Sequence, residues 1–249
     1  MDRTDRPVNP SSVRFAGLTF QGPTRASIAA FPPLTLVITV NADFIVTAHE
    51  DPRFARIINE NCATFDGQIP FAVARRLARP RGAAIEKISG SDLVPELLAE
   101  AARTGRKVFL LGATPEANTA AVQVARERFG ADVEGFSPPL AAYPFPEDWR
   151  RQCRARIEAY RPDYIFVALG APKQEFWMDE ERAWLEPLGV RLCIGCGGSL
   201  DFLSGRIKRA PVWIQKIGLE GVYRVLAQPQ WFRIKRLLRS FLMFKYIFR

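Results

Sequence analysis

Long hydrophobic runs, paired cysteines and histidine are what this 249-residue sequence has least of. No uninterrupted apolar run reaches the roughly 18 residues that span a bilayer, which argues against a transmembrane chain. The opening MDRTDRPVNPSS has no apolar core of the signal-peptide type. Four cysteines in a chain of this length do not make a disulfide framework, so we expect a reducing, cytoplasmic environment.

The CIGC segment, with Cys193 and Cys196, has the spacing of a redox or metal pair. The sequence contains no second pair, and its single histidine, His49, is far away along the chain. Buried thiols on a strand are therefore the favoured interpretation.

Several signature motifs of enzymes are also missing. There is no G-x-G-x-x-G, no G-x-x-x-x-G-K-[ST] and no G-x-S-x-G, which argues against a dinucleotide fingerprint, a P-loop and a serine hydrolase. No D-x-D pair lies at a strand end, and Asp163 in RPD precedes its strand, so it is better interpreted as a turn residue than as a metal ligand. We predict no metal site and no cofactor.

Charge is unevenly distributed. The net charge is +9. Residues 206–249 hold eleven Lys or Arg and one acid, Glu220, so their net charge is +10 and that of residues 1–205 is −1. The basicity belongs to the C-terminal segment and is a functional clue in itself.

Between residues 34 and 198 the sequence alternates apolar runs with longer amphipathic stretches. Runs such as LTLVITV and DYIFVALG are apolar throughout, which is typical of strands buried on both faces of a parallel sheet. We predict an α/β fold: a Rossmann-like parallel sheet covered by helices on both faces. The predicted organisation is a variable segment 1–33, a catalytic domain 34–205 and a basic, aromatic helical appendage 206–249.

Three predicted strands end in glycine, in FLLGAT, VALGAPKQE and GCGGSLDFLSG. Taken singly, such a turn is more often simple strand-to-helix geometry. Three in succession favour a nucleotide site, because the backbone can approach a phosphate there and the following helix adds a partial positive charge. The candidate binding residues are Gly112, Gly170, Gly197 and Gly198.

Two further strand ends carry polar side chains. TVNADF presents Thr39 and Asn41, and FDGQIP presents Asp66. Capping and turn formation explain such residues in many proteins. The alternative is one side of an active site, in which Asp66 acts as the base of a single-displacement transfer and nearby cations stabilise a departing diphosphate.

Two segments place cations near helix starts. Lys173 and Gln174 are predicted in the first turn of a helix, where a lysine opposes the helix dipole unless an anion or sugar hydroxyls occupy the site. EKISGSD combines Lys87 with a glycine-containing approach to a helix that we predict Ser91 to cap.

The C-terminal segment interleaves aromatic residues with its basic ones, which suits either nucleic acid or an anionic membrane surface. Long apolar residues recur there at helical spacing, as Ile234, Leu237, Leu238 and Phe241 do. This pattern is that of a helix lying in the membrane interface, so the membrane surface is preferred.

Taken in order, these motifs resemble the WecG/TagA/CpsF glycosyltransferases from about residue 35 to 233. GAPKQE and GGSLDFLSGRIKRAP are the most specific of them. The resemblance implies the GT-E fold, a Rossmann-like domain with a membrane-associating appendage. It also implies metal-independent transfer of a hexose, with inversion, from a UDP-sugar to a polyprenyl-diphosphate-linked saccharide.

The resemblance also implies residue roles. Asp66 falls on the proposed base of the family's DG-x-P motif, while Thr39, Asn41 and Gln174 fall on residues that line the pocket. Lys87 stands where an arginine commonly meets the diphosphate, which replaces a bidentate fork by a point charge. DGQIP also carries one residue more than the family motif. Further candidates to close over a diphosphate are Arg209, Lys216 and Arg224.

We therefore predict a glycosyltransferase of cell-surface polysaccharide biosynthesis, peripheral on the cytoplasmic face of the plasma membrane. Its expected partners are a UDP-hexose donor, a polyprenyl-diphosphate-linked acceptor and an anionic membrane surface, with a second copy of the chain as a further candidate and no nucleic acid. N-acetylmannosamine, its uronic acid and glucose are the donor sugars that the resemblance suggests. The alternative is a non-catalytic nucleotide- or nucleic-acid-binding protein with a basic tail.

Overall fold

The computed structural model describes residues 11–29, 32–78, 84–227 and 231–247. Their fold is α/β with a six-stranded parallel sheet flanked by helices, as predicted. A separate antiparallel hairpin precedes the sheet. The strands are β1 Val13–Phe15, β2 Leu18–Phe20, β3 Thr35–Val40, β4 Cys62–Phe65, β5 Lys107–Gly112, β6 Asp132–Phe136, β7 Tyr164–Ala168 and β8 Leu192–Gly195.

The large sheet has the strand order β4-β3-β8-β7-β5-β6. Every residue of β3, β4, β7 and β8 is buried, which is why those runs are apolar without alternation. The edge strand β6 is largely exposed and has the sequence DVEGF. Because the strands are parallel, their carboxyl ends meet at one edge, where ligands of such sheets bind.

Helices connect the strands and form the C-terminal segment. They are α1 Arg25–Ala29, α2 Ala42–Glu50, α3 Pro52–Glu60, α4 Gln68–Ala78, α5 Gly90–Thr104, α6 Pro115–Phe129, α7 Glu147–Tyr160, α8 Lys173–Leu185, α9 Ser199–Leu203, α10 Val212–Lys216, α11 Glu220–Ala227, α12 Trp231–Ser240 and α13 Met243–Ile247. Across the described ranges, no helix combines the length and apolarity that crossing a bilayer requires.

Helix termini follow the sequence signals in one case and depart from them in another. Helix α6 begins at Pro115 behind the cap Thr114 and ends at Gly130 in the left-handed conformation, as its proline and glycine indicated. The expected cap of α5 is wrong, because that helix starts at Gly90 and contains Ser91. The Ser91 hydroxyl lies 3.5 Å from that of Ser199 instead.

The hairpin lies in the segment 1–33, for which the sequence predicted no strand. Val13–Phe15 pairs with Leu18–Phe20 around Ala16 and Gly17, which both have positive φ, at 49° and 73°. Such a two-residue turn matches the twist of its strands. Phe20 stacks on Phe65 of β4 with ring centroids 3.9 Å apart, so the hairpin joins the hydrophobic core.

The chain divides into two compact units. We call the described residues between 11 and 89, except 32–36, together with those from 209 to 247, the flanking unit. Residues 32–36 and 90–208 form the central unit. The C-terminal helices therefore share a unit with β4 and most of β3. The predicted boundaries near residues 33 and 205 stay a prediction.

All four cysteines are free and buried, which confirms the interpretation of CIGC as strand thiols. Burial raises the pKa of Cys193 and Cys196 far above that of an exposed thiol, because the thiolate would lose its hydration. Both side chains therefore stay protonated and behave as small hydrophobic groups.

Candidate active site

In the flanking unit, the carboxyl ends of β3 and β4 bring together the residues that the sequence singled out. Thr39 pairs with Thr64 in the parallel register, and the Asp66 backbone N–H donates to the Val40 carbonyl over 2.9 Å. On the other side of β4, Phe65 forms a parallel bridge with Lys87. One edge thus holds Thr39, Asp66 and Lys87 on adjacent extended segments.

Asn41 lies at the same edge and caps α2. Its side-chain oxygen accepts hydrogen bonds from the Asp43 and Phe44 backbone N–H groups, at 3.0 and 3.2 Å. Capping therefore accounts for part of the TVNADF motif. The capping oxygen is fixed by these bonds, so the amide nitrogen of Asn41 is the group that is left to serve a ligand.

Asp66 follows β4 directly and precedes α4. Its neighbour Gly67 has φ +91°, a conformation that favours glycine, and this turn leads into the helix. The Asp66 side chain is half-buried, whereas Thr39 is buried. A carboxylate at a helix N-terminus is stabilised by the helix dipole, and a half-buried one is partly accessible to solvent.

One cation of the C-terminal segment approaches the Lys87 segment beside β4. Arg209 donates from Nη2 to the Ser89 hydroxyl over 3.4 Å and lies 3.5 Å from the Glu220 carboxylate. Ser89 is two residues beyond the half-buried Lys87. Ser89 was not among the predicted site residues, although its place in the K-I-S-G run was a usable signal. This hydroxyl joins Arg209 of the C-terminal segment to the segment that carries Lys87.

The other two candidate cations are not brought to this edge by any described contact. Lys216 is the exposed last residue of α10. Arg224 belongs to α11, but its side chain lies outside the described part of the structure. Of the three tail cations that were proposed, Arg209 alone gains geometric support from described contacts.

In the central unit, the predicted glycines end β5 or follow β7 and β8. Gly112 has φ +97°, and a Cβ there would lie 2.7 Å from the Ala168 carbonyl oxygen, so close strand packing already requires this glycine. A Cβ at Gly170, with φ +80°, would meet no atom within 4 Å. Gly170 therefore has space beside it that packing does not use. Gly198 is half-buried and precedes α9.

Gln174 is buried and holds the turn after β8. Its side-chain oxygen accepts a hydrogen bond from the Gly197 backbone N–H over 3.1 Å, and its amide nitrogen donates to Glu175 over 2.7 Å. A Cβ on Gly195 would lie within 2.8 Å of both side chains. The GAPKQE and GCGG motifs are thus two halves of one packed arrangement, in which Gln174 positions a glycine turn.

Lys173 begins α8 and is half-buried. Its ammonium group donates to the Ala141 carbonyl over 3.4 Å. This contact ties the start of α8 to the segment that follows β6. Tyr143 in that segment packs against Phe176, with ring centroids 4.9 Å apart. The cation therefore has a structural contact as well as its position at a helix N-terminus.

Helix α8 also carries a buried acid. Glu181 is fully buried and accepts from Arg150 and Arg154 of α7, at 2.7 Å each. The hydrogen bond to Glu181 raises the pKa of Arg154 above its ordinary value. These charges neutralise one another inside the central unit.

The C-terminal helix α12 docks on α2 through charge. Arg236 and Arg239 donate to the two Asp43 carboxylate oxygens over 2.9 and 3.0 Å, and Arg239 also pairs with Glu50. Asp43, the acid of TVNADF, therefore anchors the C-terminal segment. Close by, His49 stacks on Tyr246 with ring centroids 3.9 Å apart.

Helix α12 also carries exposed apolar side chains. Trp231 is 76% exposed and Leu238 62% exposed, and Phe241 and Leu242 after the helix are also exposed. Lys235 is exposed between them. A surface helix normally turns its apolar stripe inward and its charges outward. Helix α12 departs from this arrangement in part, because Arg236 and Arg239 bind Asp43 while Trp231 and Leu238 are exposed.

Within the described part of the chain, no group of three or more His, Cys, Asp or Glu side chains is placed to hold a metal ion.

The model of one protein family, described as the glycosyl transferase WecG/TagA/CpsF family, matches residues 10–249. The match covers nearly the whole chain and confirms the resemblance drawn from the motifs.

Proposed function

Because the chain belongs to the WecG/TagA/CpsF glycosyltransferase family, we propose that it transfers a hexose from a UDP-sugar to a polyprenyl-diphosphate-linked saccharide. The family places it among the glycosyltransferases of cell-surface polysaccharide biosynthesis, which act on a sugar donor and an acceptor. The nucleotide, the hexose, the lipid acceptor and the inverting, metal-independent mechanism are the proposed parts.

In the proposed reaction Asp66 is the general base. Its carboxylate takes the proton of an acceptor hydroxyl as that oxygen attacks the anomeric carbon of the donor. The bond from this carbon to the UDP oxygen breaks on the opposite face, so the configuration inverts and UDP leaves with the bonding electron pair. The observation that carries this assignment is the half-buried position of Asp66, between β4 and the start of α4 and beside Lys87.

Lys87 and Arg209 are the proposed partners of a diphosphate. Arg209 reaches Ser89 on the Lys87 segment, so two cations lie near one strand end. Arginine supplies a planar fork and lysine a point charge, and together they can offset the charge that develops on departing UDP. Lys216 and Arg224 remain candidates for the same task.

Nucleotide contacts are proposed for the turns of the central unit. Gly170 has open space beside a positive φ, and Gln174 fixes the Gly197 turn. Backbone N–H groups in such turns suit phosphate and ribose oxygens. Further candidates are Gly112, Lys173 and Gly198, of which Gly112 already has a packing role. Thr39 and the amide nitrogen of Asn41 are proposed to contact sugar hydroxyls.

The C-terminal segment is proposed to hold the enzyme on the inner face of the plasma membrane, where a polyprenyl-linked acceptor resides. Helix α12 supports this, since two of its three arginines donate to Asp43 while Trp231 and Leu238 are exposed. Aromatic and basic residues together favour an anionic interface.

The test is a transfer assay with a panel of UDP-hexoses and a lipid-linked acceptor extracted from membranes. We expect one donor to yield a glycosylated lipid whose new linkage has the inverted anomeric configuration, read by NMR. The Asp66→Asn variant is the inactive control. Retention of configuration, or binding of UDP-sugars without any transfer or hydrolysis, would overturn the proposed mechanism.

A further inference from the structure

Helix α4 exposes large apolar side chains outside the C-terminal segment. Ile69 is 41% exposed and Leu77 is 51% exposed, whereas Pro70 and Ala74 of the same helix are buried. Among the described residues, every other exposed large hydrophobic side chain of the flanking unit lies between residues 212 and 244. Helix α4 therefore differs from the other helices before the C-terminal segment.

The charge of α4 has one sign. Arg75 and Arg76 are exposed in its last turn, and the sequence from Gly67 to Ile85 contains four arginines and no acid. Arg75 lies over the Phe71 ring, 5.3 Å from its centroid. In the described structure, neither arginine forms an ion pair with an acid. Basic and apolar groups on one helix complement an anionic lipid surface.

The N-terminal end of α4 adjoins the C-terminal segment within the same unit. A Cβ on Gly218 would lie 3.2 Å from Ile69 Cγ1, so these two segments of the chain are in close contact there. On either side of Gly218, Ile217 is 57% exposed and Leu219 is 46% exposed. The exposed apolar surface thus continues from the C-terminal segment onto Ile69.

We propose that α4 is a second membrane-contacting element, which lays its arginines and exposed apolar side chains on an anionic phospholipid surface. This inference rests on the proposed function and extends it to a helix outside the appendage. Membrane contact by α4 would matter for the reaction because α4 lies next to Asp66 along the chain. One residue, Gly67, separates Asp66 from α4, which is about 16 Å long at 1.5 Å per residue. Contact along α4 would therefore keep the candidate base close to the headgroups, where the acceptor's sugar emerges.

The test is co-sedimentation of the full chain with vesicles of phosphatidylglycerol and phosphatidylcholine, and with phosphatidylcholine alone. The variant Arg75→Gln/Arg76→Gln should bind anionic vesicles about 30-fold more weakly, at about 1 kcal/mol for each arginine. Leu77→Ser should lower binding about fivefold and reduce the part that resists salt. The matched control is Arg103→Gln/Arg128→Gln, which removes two exposed arginines from the last turns of α5 and α6.

Wild-type binding by Arg75→Gln/Arg76→Gln, or an equal loss in the control pair, would overturn the role of α4. In the second case the effect would be one of net charge alone. If the wild-type chain binds neither vesicle type, the proposed membrane docking is wrong, and so is the proposed contact of α4 with lipid. Thermal unfolding of each variant, followed by circular dichroism, verifies that the loss comes from an intact fold.

Discussion

The two units differ in what they expose. Among the described residues, fourteen large hydrophobic side chains are exposed, and thirteen of them belong to the flanking unit. The central unit contributes only Leu140. A soluble domain scatters such residues singly, whereas a concentration of them marks a surface with a partner. The central unit therefore has few large apolar side chains in contact with water, whereas the flanking unit has an exposed apolar surface that suits a binding partner.

Buried charge follows the same division. In the central unit Glu181 is enclosed by two arginines, and this network joins α7 to α8 inside the unit. In the flanking unit Asp43 accepts hydrogen bonds from two arginines of the surface helix α12. On the same helix Trp231 and Leu238 are exposed. This combination supports the proposed contact of α12 with a membrane surface.

The largest expected effect is at the edge of the flanking unit. Asp66→Asn should lower turnover about 10²–10⁴-fold, the range for loss of a general base, while UDP affinity is retained. Transfer kinetics and calorimetric titration with UDP measure the two quantities. Asp148→Asn, an exposed acid of the central unit, is the control and should leave both unchanged. Near-wild-type turnover of Asp66→Asn would remove Asp66 from the mechanism.

The next effect is on the stability of the central unit. Glu181→Gln breaks a buried network and leaves two arginines short of a carboxylate, so the free energy of unfolding should fall by about 3 kcal/mol. Glu147→Gln is the matched control, because Glu147 approaches the same Arg154 at 3.9 Å but is 64% exposed. Denaturant titration compares them. Equal losses of unfolding free energy in the two variants would mean that burial does not determine how much these charges contribute to stability.

A smaller effect is expected where α12 docks. Asp43→Asn should lower the free energy of unfolding by about 1–2 kcal/mol, because its arginine partners are partly exposed and screened by water. Glu50→Gln, which removes a half-exposed partner of Arg239, should cost about 0.5 kcal/mol or less. Hydrogen exchange in α12 should rise in the first variant. An unchanged α12 would show that Asp43 does not anchor the segment.

Point variants are better suited to this question than removal of the C-terminal segment. Deletion from residue 207 onward would strip Asp43 of its arginines and remove Met243, which is buried. Loss of vesicle binding by such a truncated chain would therefore mix lost membrane contacts with lost packing.

Chelation is expected to have no effect. The proposed leaving group is balanced by Lys87 and Arg209, so transfer should proceed at the wild-type rate in EDTA. The assay compares rates with EDTA, magnesium and manganese. A rate that falls in EDTA and returns with either metal would contradict the metal-independent mechanism.

Much of the fold was predictable because its strands are buried on both faces. Apolar runs marked β3 and β7, and the proline and glycine around α6 marked its ends. The hairpin was missed because each of its strands has only three residues, within a proline-spotted stretch. Short strands gain their stability from long-range packing, here Phe20 on Phe65, which a local pattern does not contain.

The site was predictable in composition and less so in detail. Polar residues after strands identified Thr39 and Asp66, and the register places both at one edge. The pairing of Asp43 with Arg236 could not be predicted, since 193 residues separate them. For the same reason the sequence did not predict which side of α12 is exposed. Of the apolar residues that suggested an interfacial helix, Leu238 and Phe241 are exposed, while Ile234 and Leu237 are half-buried.

Tryptophan fluorescence with brominated lipids tests the difference between the units most directly. Trp213 and Trp231 of the flanking unit are 64% and 76% exposed, whereas Trp149 and Trp177 of the central unit are buried. Anionic vesicles that carry brominated acyl chains should quench the wild type and the control Trp184→Phe. They should leave Trp213→Phe/Trp231→Phe unquenched, because interfacial helices bury their apolar face about 5–10 Å deep. Quenching that persists in full in Trp213→Phe/Trp231→Phe would contradict the assignment of the lipid-facing surface to the flanking unit.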